Sequence, residues 1–349
     1  MSNFPLAYRL SWLPRLLKPS LAGGGDGFAP PAMTRPDPPP RTVRLVFAGD
    51  ISAVANRRAP VVDPEIRGLL ASADLVVGNC ESPVVEPARR RPGTLLGTRH
   101  AMSGRFLADA LDAAGIAPGR LVLSVANNHA LDQGVEGFEE TLAALRHMGV
   151  RVAGLAGEPV AKASAGALTV GFLAFTRWRN AGAGAFAGRI AMADDLLSMP
   201  DGGSAGCDLL CALPHWDREF RHFPGEATRM TARRLADARA GLVVGGHAHV
   251  VQPVERLGGT LAAYGLGDFL GTALPHVPWP CRIGALLAVD VSLDPPARGT
   301  VAGYRLHFFL RRRGGGHERL TPVEALERPV REQVFARLRA VYGAPPGPA

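Results

Sequence analysis

Five short apolar segments of this chain each run directly into a cluster of carboxylate, amide or imidazole side chains. Short runs rich in Val and Leu and bounded by turn-forming residues are typical of buried strands. Because ligands of open α/β sheets bind in the crevice outside the carboxyl ends of the strands, we expect these polar side chains to converge in one cleft. The segments and the clusters that follow them are Val43–Phe47 and Gly49-Asp50, Leu75–Val77 and Asn79-Cys80-Glu81, Leu121–Val125 and Asn127-Asn128-His129, Leu209–Leu213 and His215-Trp216, and Leu242–Val244 and His247-Ala248-His249.

The rest of the pattern predicts an alternation of strands and helices. One predicted helix spans about Val135–Met148, and the other spans about Glu226–Ala240 and ends at Gly241. This alternation favours an α/β or α+β sandwich whose sheets are largely buried. Four further apolar runs predict strands at Leu168–Phe175, Leu261–Tyr264, Ala285–Val291 and Tyr304–Leu310.

Composition along the chain suggests three parts. Residues 1–42 are rich in Pro and Gly and are predicted to be a flexible leader, residues 43–311 form the main domain, and residues 312–349 are a C-terminal extension that could carry a peripheral helix at about Arg328–Tyr342. The first eighteen residues could instead form a short basic amphipathic helix on a membrane or a partner. Arg9 and Arg15 interrupt any signal-peptide core, and no apolar run approaches the roughly 20 residues of a membrane span. We therefore expect a cytoplasmic protein, with peripheral membrane contact as the alternative.

The basic charge does not by itself indicate nucleic-acid binding. The chain has 39 Lys+Arg against 31 Asp+Glu, a formal charge of +8, and its Arg triplets at Arg89–Arg91 and Arg311–Arg313 have no interleaved aromatic residues. These triplets are predicted to be solvated surface, with an anionic partner as the alternative. The four cysteines lack metal-binding or disulfide spacing and are expected to be reduced thiols.

The mixture of side chains in the five clusters is typical of a divalent metal site. Asp, Glu, Asn and His together suit Mn²⁺, Fe²⁺ or Zn²⁺. In an extended segment, His247 and His249 would point to the same side and could share one ion. Singly, Asp50 could be a cap, Asn127 or Asn128 could hold a turn, and His215 could be a packed core residue. Of the remaining histidines, only His100 and His276 are expected to be able to reach the cleft.

The order and spacing of these motifs closely resemble those of the CapA family, which is named for capsule and poly-γ-glutamate synthesis. This family is a branch of the calcineurin-like metallophosphoesterase superfamily. The resemblance covers about Arg44 to Leu270 and includes the segment from Tyr264 to Phe269, which looks like the family's YSLGNF segment. It implies a four-layer αββα metallophosphoesterase-like sandwich, with metals at the carboxyl edges of two sheets.

The resemblance also implies roles for individual residues, with one or two divalent ions as the cofactor. His129 would assist the leaving group, and further candidates for the site are Asn79, Asn127, Asp132, Asp217 and Asp268. The implied metal ligands are Asp50, Glu81, Asn128, His215, His247 and His249.

The chain departs from the superfamily pattern at four positions. Ser52 stands where superfamily enzymes usually have a His, and Glu81 replaces the usual bridging Asp. Asp217 and Asp268 replace the usual Gly and Asn. The resemblance therefore implies a first metal position that is short of one ligand, in a cleft that carries additional negative charge.

Three functions are consistent with the sequence. The leading hypothesis is a metal-dependent hydrolase of a phosphate ester or related substrate, because divalent ions can activate water and clamp phosphoryl oxygens. The alternative is a weakly catalytic or non-catalytic accessory factor of capsule or poly-γ-glutamate synthesis or export. Its partners would be cell-envelope synthesis proteins or an anionic polymer, which the positive charge suits. A metal-free binding protein is the third reading.

Overall fold

A computed structural model of the chain describes residues 1–25, 27–35, 37–53, 58–88, 99–196, 206–271, 277–314 and 317–343. The Arg89–Arg91 triplet and His276 lie outside these ranges. The helices are α1 (Leu6–Leu17), α2 (Pro64–Ala71), α3 (Gly104–Ala113), α4 (Gly134–His147), α5 (Ala183–Phe186), α6 (Ala193–Leu196), α7 (Glu226–Asp237) and α8 (Arg328–Tyr342). The strands are β1 (Ala32–Thr34), β2 (Thr42–Ile51), β3 (Val61–Val62), β4 (Leu75–Cys80), β5 (Leu121–Ser124), β6 (Arg151–Ala153), β7 (Ala161–Ala165), β8 (Leu168–Thr176), β9 (Leu209–His215), β10 (Leu242–Val244), β11 (Val254–Leu257), β12 (Thr260–Ala263), β13 (Asp268–Leu270), β14 (Ile283–Ser292), β15 (Val301–Gly314) and β16 (His317–Pro322).

These strands form two sheets, each with a parallel centre. The ten-stranded sheet has the order β3-β16-β15-β14-β2-β4-β5-β6, with β1 paired to β15 and β13 paired to β2. The six-stranded sheet has the order β11-β12-β10-β9-β8-β7. In the larger sheet β2, β4, β5 and β6 are parallel neighbours, and in the smaller sheet β8, β9, β10 and β12 are. Both sheets therefore have carboxyl strand ends at which polar side chains can gather.

The two sheets pack face to face, and helices cover their outer faces. In β8, Phe172 lies in the main core with residues of the larger sheet, whereas its neighbour Leu173 packs on the other face in a cluster that includes Leu235 of α7. This alternation follows from the two-residue period of a strand. Phe106 of α3 and Phe138 of α4 join the main core from outside the larger sheet. The predicted four-layer αββα sandwich is confirmed.

Local sequence signals account for several boundaries. The Asp63 carboxylate accepts a hydrogen bond from the backbone N–H of Glu65 and caps α2, and the Ser103 hydroxyl does the same for Phe106 of α3. Each of the nine predicted strands corresponds to a strand of the structure, and the predicted helices correspond to α4, α7 and α8. The clear apolar periodicity of these segments explains the agreement.

Segments at both ends of the chain contact the main domain. Helix α1 packs on the domain, and β1 pairs with β15. Strand β15 continues past residue 311, and Val334 and Leu338 of α8 enter the main core. Arg311, predicted to be solvated, is buried. The physical reason is contact between distant segments, since Trp12 and Leu16 of α1 pack beside Phe220 and Arg311 pairs with Asp268 and Glu318.

The close approach of β2 and the segment before β13 yields the first prediction. A Cβ atom at Gly49 would lie 1.8 Å from the carbonyl oxygen of Gly267, whereas a Cβ at Gly78 would lie 3.4 Å from its nearest neighbour, in Leu123. We expect Gly49→Ala to lower the free energy of unfolding by about 1–3 kcal/mol or more, because backbone must move. Urea unfolding of Gly49→Ala and of the matched control Gly78→Ala measures this. Equal stabilities for the two variants would contradict the prediction.

Candidate metal centre

The polar clusters that follow the predicted strands lie together in the structure. Asp50 lies near the end of β2, Glu81 directly follows β4, and His215 ends β9. His247 and His249 come from the loop after β10, which reaches the same edge from the smaller sheet. Asp268 begins β13, which pairs with β2 at Asp50.

Buried carboxylates and imidazoles at this edge could hold a metal ion. Within each of three overlapping sets, the potential ligand atoms lie within 4.8 Å of one another, and every residue is buried. Glu81 and Asp50 each belong to two sets, so the sets form one continuous cluster. The sets are Glu81, His247 and His249; Asp50, Glu81 and His215; and Asp50, His249 and Asp268. This donor set, carboxylate oxygen with imidazole nitrogen, suits a borderline divalent cation.

Two buried atoms of the cluster lack a hydrogen-bond partner, and a bound cation would supply the missing interaction. Among the described residues, Glu81 Oε1 and His247 Nδ1 have no hydrogen-bond partner. Glu81 Oε1 lies 3.4 Å from His215 Nε2 and 3.6 Å from His249 Nε2. An unpaired buried polar atom costs about 1–3 kcal/mol, more when it is charged. The residues therefore fit a divalent cation at Glu81.

Electrostatics link the carboxylates and imidazoles closely. Burial, together with the neighbouring Glu81 carboxylate, raises the pKa of Asp50 to about 6. Burial alone would also raise the pKa of Glu81, but the adjacent His249 and His215 hold it well below its ordinary value. Burial opposes a charged His249, yet Glu81 and Asp268 raise its pKa well above the ordinary value. The imidazoles of His249 and His215 thus favour the ionised form of the Glu81 carboxylate.

The loop that carries His247 and His249 is not extended, contrary to the sequence-based expectation. His247 has φ 83° and His249 has φ 52°, so both adopt the left-handed conformation. Such residues cost of order 1–3 kcal/mol each and are typical of functional sites. The imidazole rings nevertheless come together, with centroids 6.0 Å apart. A Cβ at Gly246 would lie 2.9 Å from Asp50 Oδ1, which explains a glycine before this turn.

Three asparagines fix the orientation of the cluster. Asn79 Nδ2 donates to Asp50 Oδ1 at 2.8 Å, and Asn127 Nδ2 donates to Asn79 Oδ1 at 3.2 Å. His215 Nε2 donates to Asn128 Oδ1 at 2.8 Å, so this amide oxygen faces the cluster. The backbone N–H of His247 donates to Asp50 Oδ2 at 3.0 Å. Asn79 and Asn127 therefore hold Asp50 through a chain of hydrogen bonds, and Asn128 lies where a ligand could lie.

A second histidine pair stands beside the cluster. His129 Nδ1 donates to Asp132 Oδ2 at 2.6 Å, and Asn180 Nδ2 donates to Asp132 Oδ1 at 3.3 Å. Burial opposes protonation of His129, but the Asp132 carboxylate raises the pKa of its imidazole above the ordinary value. The ring of His100 stacks on that of His129 at 3.5 Å, and burial next to His129 lowers the pKa of His100 to about 4. Asp132 therefore occupies His129 Nδ1, and the other ring nitrogen, Nε2, is left to bind a different group.

The two acids that depart from the family pattern have different places. Asp268 joins the cluster, since its Oδ1 accepts from His249 Nδ1 at 2.7 Å. Asp217 instead accepts from Gln252 Nε2 and from the backbone N–H of Gly225, and it belongs to none of the three sets. At the position of the missing His, the Ser52 hydroxyl donates to Glu81.

Sequence reasoning missed several residues that contact the cluster. Arg311 donates to Asp268 Oδ2 at 2.7 Å, and the hydroxyl of Tyr8 is hydrogen-bonded to His247 Nε2 at 2.9 Å. Burial does not alternate along this part of β15, since Leu310 and Arg311 are both buried and Arg312 and Arg313 are both exposed, so the sequence offers no clear signal that Arg311 points inward. No sequence signal connects Tyr8 with a residue so far along the chain.

Comparison with known proteins decides the family. The profile described as "Bacterial capsule synthesis protein PGA_cap" matches residues 44–273, which is more than half of the chain. This chain belongs to the bacterial capsule synthesis protein family. All six ligand candidates and His129 fall within the matched PGA_cap region.

Two curated proteins of this family are similar in sequence. The "PGA biosynthesis protein CapA" of Bacillus subtilis (strain 168) is 26% identical over 244 residues, and the "Capsule biosynthesis protein CapA" of Bacillus anthracis is 28% identical over 241 residues. The matches cover 64% and 65% of this chain, and 62% and 57% of the relatives. The chain therefore spans less than two thirds of the length of these CapA proteins.

Solved structures show more distant likenesses. A "novel phosphatase" from Mycoplasma pneumoniae aligns with a TM-score of 0.47 and 13% identity, over 77% of this chain and 94% of its own. A "putative 5'-nucleotidase" from Staphylococcus aureus aligns with a TM-score of 0.46 and 14% identity, over 84% of this chain and 58% of its own.

Across the part of the chain that the structure describes, none of the helices combines the length and apolar character needed to cross a bilayer.

Proposed function

We propose that this protein is a metal-dependent hydrolase that acts on a phosphate ester or a related anionic substrate. The observation that carries the proposal is the buried cluster centred on Asp50 and Glu81, in which Glu81 Oε1 has no hydrogen-bond partner and faces imidazoles. The ligands would be Asp50, Glu81, Asn128, His215, His247 and His249, with Asp268 as an additional carboxylate.

One or two divalent ions, of Mn²⁺, Fe²⁺ or Zn²⁺, would suit this donor set. A bound ion of this kind supplies an acidified water and polarises a phosphoryl oxygen. The chain's own part is to hold the substrate-facing groups still, which the hydrogen bonds of Asn79 and Asn127 support. Ser52, in place of a further imidazole, favours a weaker first metal position.

His129 is the proposed general acid for the leaving group. Its Nδ1 is held by Asp132, and the same carboxylate raises the pKa of the imidazole and so favours its protonated form. His129 Nε2 would then donate a proton to the leaving oxygen. Asp132, itself held by Asn180, is a positioning residue. A positioned general acid contributes typically about 10²–10⁴-fold to a rate.

Hydrolysis of two classes of phosphate ester tests this function. We expect Mn²⁺ to stimulate hydrolysis of p-nitrophenyl phosphate, bis(p-nitrophenyl) phosphate and an alkyl phosphate by the wild-type protein, and His247→Ala to lose all three activities. His129→Gln should lose about 10²–10⁴-fold on the alkyl phosphate, whose leaving group needs a proton. It should lose far less on the nitrophenyl esters, whose leaving group is a stable anion.

His147→Gln is the matched control, since His147 is exposed on α4, and it should behave as wild type. Absence of metal-stimulated hydrolysis with every ester would contradict the hydrolase proposal. An equal loss by His129→Gln on all esters would contradict the acid role alone.

A second function is favoured by the family and by the names of the curated relatives. The protein would be a weakly catalytic or non-catalytic accessory factor of capsule or poly-γ-glutamate synthesis or export, with cell-envelope synthesis proteins or the anionic polymer as partners. The replacement at Ser52 and the positive charge of the chain support it. Loss of polymer on deletion of the gene, restored in full by a His247→Ala copy, would favour the accessory function over hydrolysis.

A further inference from the structure

The exposed large apolar side chains of the described chain are concentrated at its N-terminal end. Six of the nine belong to the first 21 residues, and four of these lie on one face of α1. Soluble surfaces usually carry such residues singly, so a contiguous apolar stripe indicates an interaction surface. The leucine face of α1 consists of Leu6, Leu10, Leu13 and Leu17, which are 71%, 71%, 54% and 70% exposed.

The opposite face of α1 covers the candidate metal centre. Tyr8 is 3% exposed, and its hydroxyl is hydrogen-bonded to His247 Nε2 at 2.9 Å and accepts from the backbone N–H of Glu219 at 3.1 Å. The ring of Phe4 stacks on Trp178 at 5.0 Å and on His247 at 6.0 Å. These side chains form a layer over His247 and restrict access to it.

The attachment of α1 is separate from the main core. Trp12 and Leu16 pack against a small apolar cluster that includes Phe220 and Val250, and no residue of α1 belongs to either large core cluster of the described chain. Arg15 Nε donates to the backbone carbonyl of Glu219 at 2.8 Å. A helix held by a satellite cluster and a few hydrogen bonds can detach without unfolding the sandwich.

The charge around the leucine face matches an anionic lipid surface. Residues 1–25 have no Asp or Glu, and their basic residues Arg9 and Lys18 are exposed, whereas the third, Arg15, is buried beneath the helix. Basic residues beside an apolar helix face are typical of helices that lie in the interface of anionic membranes. Such a helix sinks about 5–10 Å into the headgroup region, which is a large part of its ~10–12 Å diameter. Full insertion would therefore draw the flanking aromatic residues Phe4, Tyr8 and Trp12 away from the protein.

We propose that α1 is a lid over the candidate metal centre, that its leucine face binds an anionic membrane surface, and that this binding uncovers His247. The proposal rests on the proposed function only in taking His247 as part of the centre. Tyr8 is the group that leaves when the lid opens, and its partner His247 becomes accessible from solvent.

Vesicle binding tests the membrane contact of the leucine face. The full-length chain is expected to sediment with phosphatidylcholine vesicles that contain phosphatidylglycerol, less so at high salt, and not with phosphatidylcholine alone. Leu10→Asp combined with Leu13→Asp should abolish this binding. Met230→Asp is the matched control, because Met230 is 48% exposed on a different helix, and it should bind as wild type.

The uncovering of His247 is tested by its modification with diethylpyrocarbonate. Mass spectrometry measures the extent of modification on the metal-free chain. Tyr8→Phe keeps the ring and should raise the rate of His247 modification about two- to tenfold, as expected for the loss of one buried hydrogen bond. Anionic vesicles should raise the rate in wild type by at least this factor and leave it unchanged in the double leucine variant. The exposed His147 is the internal reference.

Failure of wild type to bind anionic vesicles would overturn the proposal, as would vesicle binding that leaves the His247 modification rate unchanged. Equal binding to neutral and anionic vesicles would also overturn it. Neither readout uses metal or hydrolysis. If the protein shows neither metal binding nor hydrolysis, the proposed function is contradicted. If the lid still opens on anionic vesicles in that case, this inference stands.

Discussion

Glu81→Gln is expected to abolish binding of a divalent ion to this protein while leaving its fold intact. The substitution keeps the size of the side chain and removes the charge that two of the three ligand sets share. Loss of a residue that merely orients a ligand typically costs about 10–100-fold in metal affinity, so loss of this ligand should exceed about 100-fold. Hydrolytic activity should disappear with the metal.

Thermal unfolding with and without Mn²⁺ measures the effect. A ligand that binds only the folded state stabilises it by about 2.7 kcal/mol at a concentration of 100 times its dissociation constant. The wild-type melting temperature should therefore rise with Mn²⁺, and that of Glu81→Gln should not. Glu226→Gln, on the surface of α7, is the matched control and should retain the full shift. A metal-dependent shift that survives in Glu81→Gln would place the ion elsewhere.

Arg311→Met is expected to cost about 3–5 kcal/mol of stability, the usual cost of leaving a buried charge without its partner. The guanidinium is 3% exposed and donates to Asp268 Oδ2 at 2.7 Å, to Glu318 Oε1 at 3.2 Å and to the carbonyl of Gly271 at 2.6 Å. Burial opposes a charged Arg311, but Asp268 and Glu318 raise its pKa above the ordinary value. Methionine fills much of the volume but removes the positive charge that faces the two buried carboxylates of Asp268 and Glu318.

Urea unfolding of Arg311→Met and Arg312→Met separates this effect from a change in surface charge. Arg312 is adjacent in β15 and exposed, so its replacement should change the free energy of unfolding by less than about 0.5 kcal/mol. Because Asp268 also accepts from His249, Arg311→Met should weaken metal binding as well. Equal stability of the two variants would show that the buried ion pairs contribute nothing.

The gathering of the polar clusters could be predicted from sequence because it follows from local pattern. Apolar runs mark the strands, and parallel strands bring the residues after their carboxyl ends to one edge of each sheet. Asp50, Glu81 and His215 are found where this reasoning places them. The sequence carries no comparable signal for the backbone of His247 and His249, since a left-handed conformation at a non-glycine residue is imposed by surrounding contacts.

Contacts between distant segments could not be predicted in the same way. Tyr8 and His247 are 239 positions apart, and nothing in the leader indicates which surface its helix covers. Arg311 lies in a run of three arginines, and only the register of β15 against β14 and β16 turns one of them inward. Asp217, whose place in a motif predicts a site role, accepts hydrogen bonds from Gly225 and Gln252, and the sequence gives no sign of these partners.

Anomalous diffraction from a crystal grown with Mn²⁺ tests the central claim most directly. We predict an anomalous peak bonded to a carboxylate oxygen of Glu81, about 2.0–2.2 Å away, with an imidazole of His247 or His249 in the same coordination shell. A second, weaker peak beside Asp50 would correspond to the position that Ser52 leaves short of a ligand. A crystal grown with Mn²⁺ that shows no anomalous peak at Glu81 would contradict the assignment of this cluster as a metal centre. A peak only at surface carboxylates would contradict it as well.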